Sequence, residues 1–451
     1  MTSSRRQFRC QGDSSIHGRG DNDAAPAAVH DALVGKMSDP VDQASTRLTL
    51  GLSKDAQGVL PSQALERAVE AGIVEAEDFK IPPSNIQPAS LDLRLGETAY
   101  RIRSSFLPDR RPVDVKLKEF VEDELDIIRE GKVLEPNTPY LIPLIERLHL
   151  PPDVRARTNP KSSTGRLDVF TRVITDESYR FDEIRPGYSG PLYLEVVPLS
   201  FTVRVRHKLA LNQLRLSVGD ASVRDDELRR LHAEEPILFR GGDALPDRDF
   251  ATANGLFLSL DLTGDTSGRV GYRARKYSSV IDMEGIAEYD WQKFWDPVQR
   301  EAGDRIILHP NAFYLLLSNE AVRVPPRFAA EMTAYDPTSG ELRTHYAGFF
   351  DPGFGYDRDG ALFGSRSALE VRAHDVPFAI EHGQRVAKLT FERMAAEPER
   401  LYGDAIGSSY QGQMDTLSKH FKPTQMDQPD ASPAGRTHPP SHPQLFDDRP
   451  R

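Results

Sequence analysis

A chain of 451 residues with 38% hydrophobic side chains is long enough for more than one core, and its 68 acidic against 57 basic residues leave a formal charge of −11, which works against broad nucleic-acid binding through counterion release. The single cysteine, Cys10, excludes an intrachain disulfide and any cysteine-ligated zinc site, and points to the reducing cytoplasm. No stretch approaches the roughly 18 apolar residues of a membrane span and no charged-then-apolar signal opens the chain, so the expectation is a soluble cytoplasmic protein whose partners are neither membrane nor nucleic acid.

Residues 1–56 are rich in Ser, Asp, Ala, Gly and Arg without sustained periodicity; they read as a disordered leader with no core, in which Met37 is an alternative start to Met1. Pro61-Ser62 followed by QALERAVEAG gives the first clear element, a short amphipathic helix capped by Ser62 and closed by Gly72. Strand patterns dominate from there. SLDLRLG (90–96), PLYLEVVPL (191–199), FTVRVRH (201–207), LEVRAH (369–374) and RVAKLTFE (385–392) alternate between Pro/Gly turns, which predicts an all-β, barrel or sandwich architecture with a few short peripheral helices. Residues 425–451, with SPAGRTHPPSHPQ, read as a disordered Pro-rich tail.

The chain repeats itself. VLEPNTPYLIPLIERLHLPPDV (133–154) returns as ILHPNAFYLLLSNEAVRVPPRF (307–328), with Pro136/Pro310, Asn137/Asn311 and Tyr140/Tyr314 each separated by 174. LEVVPLSFTVRVRHKLALNQL (194–214) returns as LEVRAHDVPFAIEHGQRVAKL (369–389), shifted by 175, so that Glu195/Glu370 and His207/His382 coincide. One β-rich unit is present twice, over 57–245 and 246–424.

Glu195 and Glu370 sit between Leu and Val in strand patterns. Such a carboxylate is on the polar face, or paired, or kept with a raised pKa for acid/base work. NPKSSTGR (159–166) offers a lysine, two hydroxyls and an arginine on one turn; that set suits phosphate oxygens or is a solvated polar turn, and it lacks P-loop spacing. HYAGFFDPGFG (345–355) combines a preset φ at proline with a glycine that tolerates φ > 0, as a hairpin corner requires. No HExxH, calcium loop or Gly-x-Ser-x-Gly elbow is present, and the paired histidines read as structural.

Taken together, IQPASLDLRLG (86–96), KSSTGRLDVF (161–170), AGFFDPGFG (347–355), LEVRAHDVPFAIEHGQRVAKLTFE (369–392) and SSYQGQ (408–413) resemble the dCTP deaminase branch of the dUTPase-like family, and the duplicated length resembles its long bacterial form, in which two units are fused. The resemblance spans most of 57–424. It implies two tandem distorted β-barrels, hydrolytic deamination of dCTP to dUTP and ammonia for thymidylate synthesis, an oligomer with nucleotide between neighbouring units, and Mg²⁺ accompanying the triphosphate. Family members work without zinc, which agrees with the absence here of the paired cysteines a zinc deaminase needs.

By position, the family's serine motif falls on Lys161, Ser162 and Ser163, with its arginine at Arg166; these would contact phosphates and the reacting base. Its glutamate matches both Glu370 and Glu195, its turn matches Asp351, Pro352, Gly353 and Phe354, a backbone carbonyl near Ala347 would hold the water, and its C-terminal covering segment supplies Tyr402 and Gln413. The first copy reads Arg185-Pro-Gly-Tyr at the turn, and the second has no clean serine motif, aligning Ser339 and Arg343 only across a gap of three. A composite site is therefore expected, from KSSTGR of copy one and the turn, Glu370, Tyr402 and Gln413 of copy two. Spacing speaks for the other glutamate: Pro186 to Glu195 is nine residues, as in the family, whereas Pro352 to Glu370 is eighteen. Two alternatives stand beside deamination: a dUTP diphosphatase or bifunctional enzyme releasing dUMP, and a non-catalytic nucleotide-binding module.

Overall fold

The computed structural model describes residues 40–333, 342–344, 348–356, 364–373, 375–403, 410 and 416–423. They are mainly β, arranged in several small sheets with few helices, as the alternating runs predict. Among them no helix is long and apolar enough to cross a membrane.

The two copies share strand register as well as sequence. In the first, strand Tyr140–His149 lies between Thr98–Ile102 and Ser189–Pro198; in the second, Phe313–Val322 lies between Arg269–Ala274 and Ser365–Ala373. Leu141 pairs with Glu195, and Leu315 with Glu370. The longer spacing from Pro352 to Glu370 thus leaves the glutamate strand in register, since a slip of one residue would have turned every side chain to the other face. Likewise Val154–Pro160 pairs with Ala210–Val218 from Val154 opposite Val218, and Phe328–Thr333 pairs with Arg385–Arg393 from Phe328 opposite Arg393.

Three sequence expectations are corrected. The helix Ser62–Glu70 has Pro61, in extended backbone, at its N-cap position and no side-chain cap, with Ser62 already inside it, because the proline ring fixes φ at the entry to the helix; Gly72, at φ +71, closes it as expected. The leader is not coreless throughout. Leu50, Leu52 and Ala56 are buried, and Arg47 at the end of helix Pro40–Thr49 pairs with Asp153 at 2.6 Å, so this stretch is tied down by a side-chain anchor that periodicity does not reveal. Thirdly, helix Asp225–Glu234 buries Leu228 and Leu231 in the second copy's core, and strand Leu238–Arg240 sets Leu238 opposite Val322. Val74 occupies the same place opposite Leu148 in the first copy, after helix Ser62–Glu70. Elements of the second unit therefore begin well before residue 246.

The apolar core is continuous across the seam between copies. The first copy's Ile142, Leu194, Phe201 and Leu214 belong to one cluster with Tyr272, Trp295, Phe313 and Phe421 of the second, and Trp295 meets Phe201 edge-on at 5.1 Å. Beside it runs a charged seam. Arg157 lies 2.9 Å from Glu331, and Arg215 reaches Glu392 at 3.0 Å and Asp351 at 3.3 Å. Arg157 and Glu331 occupy equivalent positions in the repeat, the fourth residue of their strands. Two identical units would face like charges there, whereas an arginine in one copy and a glutamate in the other attract. Glu331→Arg should cost about 1 to 2 kcal/mol, with part of the loss recovered by adding Arg157→Glu, in a double-mutant cycle read by denaturant unfolding.

Candidate active site

At the end of strand Val154–Pro160 the chain turns at Lys161 into a single helical turn, Ser162–Gly165. Two bonds to the Leu211 carbonyl fix it, from Lys161 N–H at 3.0 Å and from the Thr164 hydroxyl at 2.9 Å. Lys161 pairs with Asp92 of strand Leu91–Arg94. Arg166 is buried; its guanidinium lies 3.7 Å over the Tyr410 ring and donates to the carbonyls of Thr416 at 3.3 Å and Leu417 at 3.4 Å. That side chain is aimed by its neighbours.

The Asp-Pro-Gly turn comes from the second copy. Phe354 N–H closes it on the Asp351 carbonyl at 3.1 Å. Gly353 has φ +95, and a Cβ there would come within 2.8 Å of Leu401 Cβ and of Tyr402 N, so glycine is needed both for the left-handed backbone and for the close approach of the segment bearing Tyr402. Tyr402 N–H bonds the Pro352 carbonyl at 2.8 Å, and its ring tilts against Phe354 at 5.6 Å. Burial raises the Asp351 carboxyl, against the opposing charge of Arg215. It raises the Tyr402 phenol as well.

Glu370, on strand Ser365–Ala373, completes the arrangement. It is 7% exposed, and its Oε2 has no hydrogen-bond partner among the described residues. The carboxylate lies against the backbone of Gly165, where a Cβ would stand 2.4 Å from Oε2. Desolvation raises its proton affinity well above the ordinary carboxylate range; Arg166 opposes this and Asp168 adds to it.

Lys161, Ser162, Ser163 and Arg166 of the first copy and Asp351, Phe354, Glu370 and Tyr402 of the second line one cavity of about 200 Å³. Gly353 lies behind its wall as the hinge of the turn. Ala347 and Gln413 lie outside the described residues, as does Ser339. Glu195 is not brought there. It is fully buried against Arg172, directly opposite on strand Val169–Thr175, with Nη2 at 2.5 Å. Register keeps its position in the first copy, where Arg172 pairs with one oxygen and Oε2 has no hydrogen-bond partner among the described residues, so the carboxylate favoured by spacing is ion-paired away from this cavity. The first copy's Arg185 likewise turns outward to Glu177.

The cavity also holds residues the sequence reading passed over: Asp92, Tyr410, Lys419 and Ser367. Asp92 Oδ1 and Ser367 Oγ are buried without hydrogen-bond partners among the described residues. Asp92 carried the same signal as the glutamates, a carboxylate inside a strand pattern. Lys419 gave none, since only chain folding returns it to Lys161; burial and the Lys161 charge together lower its pKa. A larger groove of about 910 Å³ runs past Arg155, Arg180, Arg185 and Arg224, but those guanidiniums already hold Ser217, Glu183, Glu177 and Asp226.

Fold and site define a duplicated β-barrel protein with a buried-carboxylate pocket built across the seam of its repeats. The chain belongs to the 2′-deoxycytidine 5′-triphosphate deaminase family: the model of that family's N-terminal domain matches residues 56–220, and the model of its C-terminal domain matches residues 224–421. A solved structure titled as 2′-deoxycytidine 5′-triphosphate deaminase from Agrobacterium tumefaciens is similar over 76% of this chain and 100% of its own, at 44% identity and a TM-score of 0.71. Among curated proteins, a dCTP deaminase of Natronomonas pharaonis is 32% identical over 139 residues, 30% of this chain and 67% of that one. A "dCTP deaminase, dUMP-forming" of Methanothermobacter thermautotrophicus is 31% identical over 144 residues, 31% of this chain and 67% of its own.

Proposed function

We propose that this chain deaminates dCTP hydrolytically at the composite pocket, with Glu370 as the proton carrier. The observation that carries the reading is one carboxylate, buried and with an oxygen unpartnered, facing Arg166 and the serine turn across the repeat seam. Water adds to C4 of cytosine while Glu370 takes its proton and passes it to the ring nitrogen. The second proton of that water then travels by the same carboxyl to the amino group, which leaves as ammonia, so that water and dCTP become dUTP and ammonia. Raised proton affinity suits a group that must accept and return protons near neutral pH. Arg166 and Ser162 orient the water and stabilise the negative charge that develops on its oxygen as it adds to C4, and donors already held in place need little reorganisation during attack.

Lys161, Ser163 and Lys419, which line the cavity, would receive phosphate oxygens, and Phe354 with Tyr402 would pack on sugar and base. Mg²⁺ would arrive with the nucleotide, and the pocket carboxylate beside Lys161, Asp92, has an oxygen without a hydrogen-bond partner among the described residues that could face it. The ion would neutralise phosphate charge. Assembly into a homo-oligomer and a cytoplasmic setting belong to the same proposal.

A second reading is favoured by names alone: relatives at 31% and 35% identity are called dUMP-forming. Incubating the protein with dCTP and Mg²⁺ and measuring ammonia and pyrophosphate separately decides it. Ammonia with dUTP and no pyrophosphate is the expected result. Equimolar pyrophosphate would assign the bifunctional reaction, and neither product would leave a binding module.

A further inference from the structure

Two residues beyond Arg166 stands Asp168, and two beyond Glu370 stands Arg372. The two meet. Arg372 Nη2 donates to Asp168 Oδ2 across the seam, Ser200 Oγ donates to the same oxygen, and Arg372 Nη1 reaches the Asn311 carbonyl at 2.7 Å. Asp168 is wholly buried, and the Arg372 side chain is 13% exposed. The seam thus carries two crossed couples within four residues: Arg166 facing Glu370, and Asp168 facing Arg372.

Asp168 is an unusual place for this group. Its φ is +56, in the left-handed region that favours glycine. Its backbone closes the serine turn, N–H to the Gly165 carbonyl at 2.8 Å, while its own carbonyl receives Leu199 N–H at 3.0 Å. An aspartate held in that conformation at full burial needs compensating contacts, and Arg372 and Ser200 supply them. The equivalent of Arg372 in the first copy is Val197, so this cation is specific to the strand that carries Glu370.

We propose that Asp168 and Arg372 are positioning residues of the deaminase site, their ion pair docking the Glu370 strand onto the serine turn so that the carboxylate faces Arg166. This rests on Glu370 being the proton carrier. The pair also acts electrostatically: Asp168 raises the proton affinity of Glu370, and Arg372 neutralises Asp168. Facing Glu370 from the serine turn are Arg166 and Asp168; the cavity wall adds Asp92, Lys161, Asp351, Tyr402, Tyr410 and Lys419.

The test compares full-length wild type, Asp168→Gly and Arg372→Met in kcat, KM and the pH dependence of kcat/KM. Glycine accepts φ +56, so the first variant keeps the turn while losing the pair. Expected is a fall in kcat of about 10- to 100-fold in both, the size of a displacement of roughly 1 Å at a reacting group, with KM changed much less. The acid limbs should move oppositely: down in Asp168→Gly, where a negative neighbour is gone, and up in Arg372→Met, where that neighbour is left uncompensated. Asp168→Asn, which keeps the shape and drops the charge, must reproduce the downward movement and covers the case of a misfolded glycine variant. Wild-type kcat in the folded variants, or lowered kcat with unmoved acid limbs, would overturn the proposal. Full activity in Glu370→Gln would instead overturn the reading beneath it.

Discussion

Glu370→Gln is expected to lower kcat by about three orders of magnitude or more, the loss typical of removing a positioned general acid/base, while nucleotide affinity stays within a few-fold and thermal stability at neutral pH rises. The first two outcomes follow from position: Glu370 contributes one wall of a cavity in which Lys161, Ser163, Phe354 and Tyr402 provide separate contacts. The third follows from the cost of the carboxylate. Burial raises its proton affinity in the folded state, so stability from this group is fully present below the ordinary carboxylate range and is lost as pH climbs through the raised folded value. Glutamine has no charge to desolvate. Arg166 keeps the Thr416 and Leu417 carbonyls and the Tyr410 ring when the carboxylate is gone. The difference in melting temperature between variant and wild type should therefore widen from acid to neutral pH. A variant that melts lower than wild type at pH 8, or that turns over dCTP normally, contradicts the assigned role.

Much of this site was legible because chemistry and repetition agree in the sequence. Glutamates 175 residues apart, an intact serine motif in one copy and an intact turn in the other already imply that the two copies share one pocket. The choice between the glutamates was not legible. It turns on Arg172 standing directly opposite Glu195, which only strand register reveals, whereas proline spacing counts residues between turn and strand without showing where the extra ones go. Helix Asp225–Glu234 was missed although Asp225, Asp226 and Glu227 crowd its first turn, a favourable charge for a helix N-terminus; a run of strands on either side hid it. Asp92 and Lys419 illustrate the remaining gap. They lie far apart in sequence and become one feature only when the C-terminal segment lies against the serine turn, where the Ser418 hydroxyl donates to the Ser163 carbonyl at 3.1 Å.

The same seam predicts the largest loss of stability. Arg215, its side chain 2% exposed, serves three acceptors of the second copy: Asp351, Glu392 and the Ala330 carbonyl, the last at 3.2 Å, with its guanidinium 3.9 Å over the Phe349 ring. Arg215→Met fills similar volume but leaves the buried Asp351 without its cation, a change worth about 3 to 5 kcal/mol when one partner of a buried pair is removed. The sign with pH is fixed by Asp351. Burial already raises its carboxyl in the folded state, and Arg215 holds that rise in check; without Arg215 the rise is larger, so the folded variant is favoured where the carboxyl is protonated and penalised as pH climbs past it. Denaturant unfolding of the two proteins should show a gap that is widest at pH 8 and narrows toward pH 5. Because Asp351 opens the turn that carries Gly353 and Phe354, nucleotide affinity should fall with stability, whereas Glu370→Gln separates the two. Equal unfolding midpoints at pH 8 would mean that the seam is held by its aromatic cluster, Phe201, Trp295, Phe313 and Phe421, and that its buried charges orient the copies without binding them together.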